Sequence, residues 1–216
     1  IGEEQLKSFR VFPSKKEMTA TLRAEATING KRYSQALDLI EYDHIPVQTL
    51  MPGSEAKVVR IDMKKEGQLA AYIKGAGDEI PACLRNMGYE VWEMKEEEVL
   101  LSNLQKADAV VLGIRALNTI PRMPFMMEHL LEYVKGGGTL VVQYNTNFGL
   151  DMKKFSPYSL TLSRDRVTEE DAVVRILKPD HPVLNYPNKI TPDDFTGWVQ
   201  ERGLYFPSAW AAEFEA

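Results

Sequence analysis

From Leu69 to Asn147 the chain alternates short apolar runs with helix-patterned segments, and no other feature limits its folding choices as severely. "LAAYIKG" reads as a buried strand and "DEIPACLRNMG" as a helix closed by Gly88, before a second strand, "YEVWEM". "EEEVLLSNLQKA" is a short helix, "DAVVLGI" a strongly apolar strand, "MPFMMEHLLEYVKGGG" a helix ended by glycines, and "TLVVQYN" a further strand. Strands that alternate with helices across short loops predict a parallel sheet with helices on both faces, because parallel neighbours need a crossover. The expected class of residues 69–216 is therefore α/β. Past Asn147 the pattern loosens: "VTEEDAVVRIL" offers one more strand, and the end of the chain is rich in aromatics.

The first 63 residues follow a different rule. "MTATLRAEATI" (18–28) and "KRYSQALDLIEYDHI" (31–45) are extended runs flanking Asn29-Gly30, a pair suited to a hairpin turn whose two central residues need positive φ. "KVVRIDM" (57–63) adds a short strand, and no helical period occurs. This region predicts a small β-sandwich-like segment, partial because about 60 residues bury little surface by themselves. The polar stretch "KKEGQ" (64–68) separates the two regions.

Composition bounds the partners. The hydrophobic fraction of 44% suits a packed core. A net charge of -5 gives no footprint for nucleic acid. No apolar run approaches the roughly 20 residues that a membrane span requires. One cysteine among 216 residues leaves no intrachain disulfide framework and no cysteine-rich zinc site. The opening "IGEEQLKSFRVF" lacks an initiator methionine and reads as the interior of a longer polypeptide.

Two chemical candidates sit close together in "IKGAGDEIPACL". Gly75 and Gly77 follow a strand and precede a helix, the context in which helix N-termini hold anions. A dinucleotide fingerprint would need a third glycine where Ile80 stands. Asp78 falls where an N-cap belongs, and its carboxylate would repel a phosphate. Cys83 shares the i, i+3, i+4, i+7 face of Ile80, Leu84 and Met87, which predicts core packing and not a reactive thiol. His44, His129 and His181 lack metal-ligand spacing; His181 stands out because Pro179 and Pro182 rigidify its loop.

The remaining candidates are polar residues at predicted strand ends. Arg115 and Asn118 follow one strand, Tyr144, Asn145 and Asn147 the next, and Arg164 with Asp165 lies in "SRDR". In a parallel sheet these loops rim one crevice with Gly75, Gly77 and Asp78. Such amide, hydroxyl and guanidinium groups suit a polyhydroxylated or carboxylated ligand; the competing reading is a set of structural ion pairs and loop ties. No Ser or Cys stands at an elbow with a histidine partner, so no catalytic residue is assigned. An enzymatic alternative pairs His181 with Asp78 or Asp165 as acid and base. Trp198, Tyr205, Phe206 and Trp210 in the tail either stack on sugars or cover a sheet edge or seam.

Taken together, "YIKGAGDEIPACLRNMGYEV", "ADAVVLGIRALNT", "GGTLVVQYNT", "LSRDRVT", "KPDHPVLNYPNKIT" and "DFTGWVQERGLYFPSAW" resemble the C-terminal part of long bacterial PIG-L (LmbE-like) deacetylase-family proteins. The likeness runs over most of residues 69–212, and the preceding strands resemble the Ig-like segment of those proteins. The α/β part is in turn similar to flavodoxin-like, class I glutamine-amidotransferase-like domains, including the trehalose-utilisation (ThuA-like) group. The resemblance implies a parent enzyme that removes N-acetyl groups from amino-sugar conjugates with zinc. The zinc motif of A-H-P-D-D type is not in this sequence, so the metal is expected only in a catalytic domain outside it and no cofactor is expected here. The amidotransferase elbow would correspond to "VVQYNTN", with Tyr144 and Asn145 in place of a nucleophile. The resemblance thus implies a non-catalytic accessory domain that recognises a carbohydrate or amino sugar, packs on the rest of its own polypeptide, and works in the periplasm or outside the cell. A purely structural module is the remaining alternative.

Overall fold

The computed structural model describes residues 5–198 and 203–215 and divides into two units, Ile1–Met63 and Lys64–Ala216.

The first unit is built from antiparallel pairs. Strand β1 (Met18–Arg23) pairs with β6 (Glu55–Arg60), β2 (Ala26–Ile28) with β3 (Lys31–Tyr33), and β4 (Asp38–Tyr42) with β5 (Ile45–Leu50). Asn29 and Gly30 form the β2–β3 turn with φ of 50° and 78°, as a two-residue hairpin with the strands' native twist requires. The Arg23 side chain meets Glu55 across the β1–β6 ladder. The ladders are three separate two-stranded sheets, and none of the described residues of this unit is buried. The expectation of a sandwich-like segment is thus met only as far as paired strands.

The second unit holds a four-stranded parallel sheet in the order β10-β9-β7-β8, from β7 (Leu69–Ile73), β8 (Glu90–Met94), β9 (Ala109–Leu112) and β10 (Thr139–Val142). Ala70 to Ile73 are all buried, as a central strand covered on both faces must be. Helices α1 (Ile80–Asn86), α2 (Leu101–Leu104), α3 (Ala116–Thr119) and α4 (Met123–Lys135) flank the sheet. On α4, Met123, Met126, Met127, Leu130 and Tyr133 form one buried stripe at helical spacing. They pack with Ala71, Ile73, Val110 and Leu112 into the core.

Two sequence expectations fail here. Cys83 is exposed, because α1 is seven residues long and buries only Pro81. The face carrying Cys83 and Met87 turns away from the sheet. The strand expected in 167–177 does not form; Val173 and Leu177 are exposed in irregular chain. Instead β11 (Leu160–Leu162) and β12 (Pro207–Trp210) make a two-stranded antiparallel sheet.

Strand order decides where a ligand could sit. The chain moves from β7 outward to β8, then returns past β7 to β9, so the switch point lies at the carboxyl ends of β7 and β9. Ligands of open α/β sheets bind outside such a point.

Candidate functional site

At the switch point the loop after β7 lies directly on the loop after β9. The Ala76 N–H donates to the Ile114 carbonyl at 2.8 Å, and Gly113 N–H to the Ile73 carbonyl at 2.8 Å. A Cβ on Gly75 would stand 2.1 Å from the Ile114 oxygen, so only glycine permits this approach. Gly77, at φ 112°, has open space where a Cβ would be. The two glycines shape the loop.

Asp78 accepts hydrogen bonds from four groups around the switch point. Its Oδ1 accepts from the Tyr72 hydroxyl (2.8 Å) and the Ile80 N–H (3.0 Å). Its Oδ2 accepts from the Ile114 N–H (2.9 Å) and the Gln143 amide (3.2 Å). Burial alone would push this carboxyl up; the bonds from Ile114, Tyr72, Ile80 and Gln143 together outweigh it and hold the group below the ordinary aspartate value. Burial, and then the bond to Asp78, push the Tyr72 hydroxyl up. The cap position itself is Glu79, one residue later than the sequence reading placed it, and its side chain caps nothing. With four donors, this carboxylate ties the loops of the switch point together.

The loops after β9 and β10 are stitched together by amides. Asn118 donates to the Thr146 carbonyl (3.1 Å) and accepts from the Thr146 N–H (2.9 Å). Asn145, 9% exposed, accepts from the Leu117 N–H (3.0 Å) and donates to the Gln143 carbonyl (2.7 Å). Arg115 donates its N–H to the Tyr144 carbonyl at 2.7 Å. It adopts φ 58° and ψ 21° between β9 and α3, so the left-handed strand-to-helix turn lies here and not after β10. No nucleophile stands on that turn; the exposed Arg115 guanidinium has no hydrogen bond or ion pair among the described residues.

Open space lies to one side of the switch point, beyond β10. Two adjoining cavities of about 570 and 270 Å³ share Leu150, Met152, Leu160 and Leu162 as a common wall. The smaller is lined by Tyr144 and Asn145, with the Tyr144 ring tilted against Tyr205 at 5.9 Å between centroids. The larger is lined by Asn147, Asp151, Ser156, Tyr158 and Thr161. Asn147 Oδ1 and Ser156 Oγ are buried without a hydrogen-bond partner among the described residues.

Of the residues singled out from the sequence, Tyr144, Asn145 and Asn147 line this cleft. Gly75, Gly77, Asp78, Arg115 and Asn118 belong to the switch-point packing. Arg164 is exposed, its guanidinium 5.6 Å from the centre of the Phe148 ring. Asp165 is exposed, its N–H bonded to Ser163 Oγ. His181 caps a 3-10 turn by accepting from the Val183 N–H at 3.2 Å through Nδ1, while Nε2 meets Glu215 at 3.1 Å. The carboxylate facing His181 is therefore neither Asp78 nor Asp165. Val199 to Arg202 of the aromatic tail lie outside the described residues.

Asp151, Ser156, Tyr158 and Thr161 escaped sequence reasoning because no motif joins them. They converge through the 3-10 turn Met152–Lys154 and the β11–β12 ladder, which pairs residues far apart in sequence. Among the described residues no group of three or more His, Cys, Asp or Glu side chains is placed to hold a metal ion. No helix among them is long and apolar enough to cross a membrane. No family model matches this chain, and neither a curated protein nor a solved structure is similar to it at a significant level.

Proposed function

We propose that the α/β unit is a recognition domain for a glycan or another small polar ligand, bound in the cleft beyond β10, and an accessory part of a PIG-L (LmbE-like) deacetylase-family protein. The observation that carries this reading is the larger cavity, lined by an amide, three hydroxyls, a phenol, a carboxylate and an ammonium group. Such groups exchange hydrogen bonds with sugar hydroxyls, and the leucine wall accepts the apolar face of a ring. The sheet order, renumbered from β7 as 2-1-3-4, matches four of the five strands of the flavodoxin-like order 2-1-3-4-5 and supports the amidotransferase-like reading of the domain. In this reading the domain works in the periplasm or outside the cell, and the zinc of the parent enzyme belongs to another domain.

Calorimetric titration of the chain with N-acetylglucosamine and glucosamine tests the proposal. Saturable binding at up to millimolar sugar is expected. Asn147→Ala and Tyr158→Ala should each weaken it about tenfold, a loss of about 1.4 kcal/mol. Arg115→Ala, outside the cleft, should leave it unchanged. Absence of binding at millimolar sugar, or equal loss in all three variants, would remove the reading.

A further inference from the structure

The third cavity of this region holds about 350 Å³ and is walled by Phe206, Pro207, Trp210 and Phe214, with Leu160 on one side and Glu215 at the rim. Leu160 also lines both chambers of the polar cleft. Tyr158, on the wall of the larger chamber, meets Phe214 edge-on at 5.8 Å and 86°. The aromatic bowl and the polar cleft are thus next to each other, parted by one leucine and one aromatic pair.

The rim carries its own polar set. Glu215 takes Lys178 Nζ at 3.6 Å on one carboxylate oxygen and His181 Nε2 at 3.1 Å on the other. His181 Nδ1 accepts from the Val183 N–H, so the ring is fixed with Nε2 carrying its proton toward Glu215. Aromatic walls with the Glu215 carboxylate at the rim, itself tied to Lys178 and His181, are complementary to a pyranose. The axial C–H bonds of one ring face lie on the electron-rich aromatic face, while the equatorial hydroxyls reach outward to groups that both donate and accept. A simple cation is less well served, because the carboxylate already has Lys178 beside it. A purely apolar ligand would leave the rim unused.

We infer that this bowl is a stacking subsite for a second sugar ring, so that the ligand of the domain is an oligosaccharide spanning both cavities. The inference rests on the glycan reading of the polar cleft. Trp210 is the platform: it is 46% exposed, pairs through its backbone with Leu160, and is open enough to be replaced without emptying the core.

Titrations with N-acetylglucosamine and with its β-1,4-linked tetrasaccharide separate the two ideas. The tetrasaccharide should bind at least tenfold tighter than the monosaccharide. Trp210→Ala should abolish that gain and leave monosaccharide affinity unchanged, and Trp210→Phe should keep most of it. Tryptophan emission should shift on adding the tetrasaccharide, and Trp210→Phe should lose the shift, a readout that holds even if the alanine variant folds poorly. Equal affinity for the two sugars, or a gain that survives Trp210→Ala, overturns the subsite and leaves the cleft reading standing. Failure of both sugars to bind overturns the two together.

Discussion

Asp78 shows how one residue can satisfy the sequence pattern of a ligand site and then tie loops together. A carboxylate after a Gly-x-Gly turn was readable as part of a polar rim, but its four donors come from β7, the β9 loop, the loop after β10 and the helix start, which only the fold assembles. Asp78→Ala would leave those donors without an acceptor and should cost about 2–3 kcal/mol, read as a lower urea midpoint with unchanged slope. The folded carboxyl sits below the ordinary aspartate value, so its contribution is complete above the unfolded pKa and lost as pH falls through the folded one. The stability gap between wild type and Asp78→Ala should accordingly be constant from about pH 8 to 5 and shrink below pH 4. A gap that stays constant to pH 2 would contradict the assigned network. Asn145 follows the same logic: both ends of its amide tie backbone, so loss of stability in Asn145→Ala is expected whether or not a sugar binds. What the residue types conveyed was polarity at strand ends. What they could not convey was which polar groups the backbone itself would consume.

At the level of elements, legibility followed the strength of the period. Helix α4 and strands β7 and β9 were visible because burial on one stripe or on both faces leaves a simple apolar pattern, and β10 was visible as an apolar run although Val141 and Val142 stay exposed. Helix α1 carried an equally regular stripe, yet it is too short to bury it, and Cys83 ends in solvent. Strands β11 and β12 were invisible because each has at most four residues and its partner lies on the far side of a long irregular segment. The same short ladder forms the wall between the cleft and the aromatic bowl, so the elements that matter most for recognition were the least readable. The loop pair at the switch point gives the sharpest test at this scale. Gly75→Ala drives a Cβ into the Ile114 carbonyl, a backbone atom that cannot rotate away. It should destabilise by about 2–3 kcal/mol, the upper range for overpacking. Gly77→Ala meets no neighbour and should cost about 1 kcal/mol, from its φ alone. Equal midpoints for the two variants in denaturant unfolding would contradict this packing.

For the whole molecule, the boundary near residue 63 divides two kinds of stability. The second unit has a core of fully buried side chains, among them Tyr72, Ile73, Leu104, Leu112, Met127 and Leu130, drawn from the sheet and from helices α2 and α4. Its apolar burial depends on none of the first 63 residues. The first unit is held by backbone ladders and by surface contacts such as Arg23 with Glu55, and none of its described residues is buried. Isolated two-stranded sheets are marginal in water, and exposed ion pairs add little. The fragment 64–216 should therefore unfold in one cooperative transition by circular dichroism, with protected amides in β7, β9 and α4 on hydrogen exchange. The fragment 1–63 should give no cooperative transition and should exchange its amides quickly, apart from transient protection at the Asn29-Gly30 hairpin. A cooperative melt of residues 1–63 alone would require a buried cluster that these ladders do not contain, and would overturn the division of stability argued from their exposure.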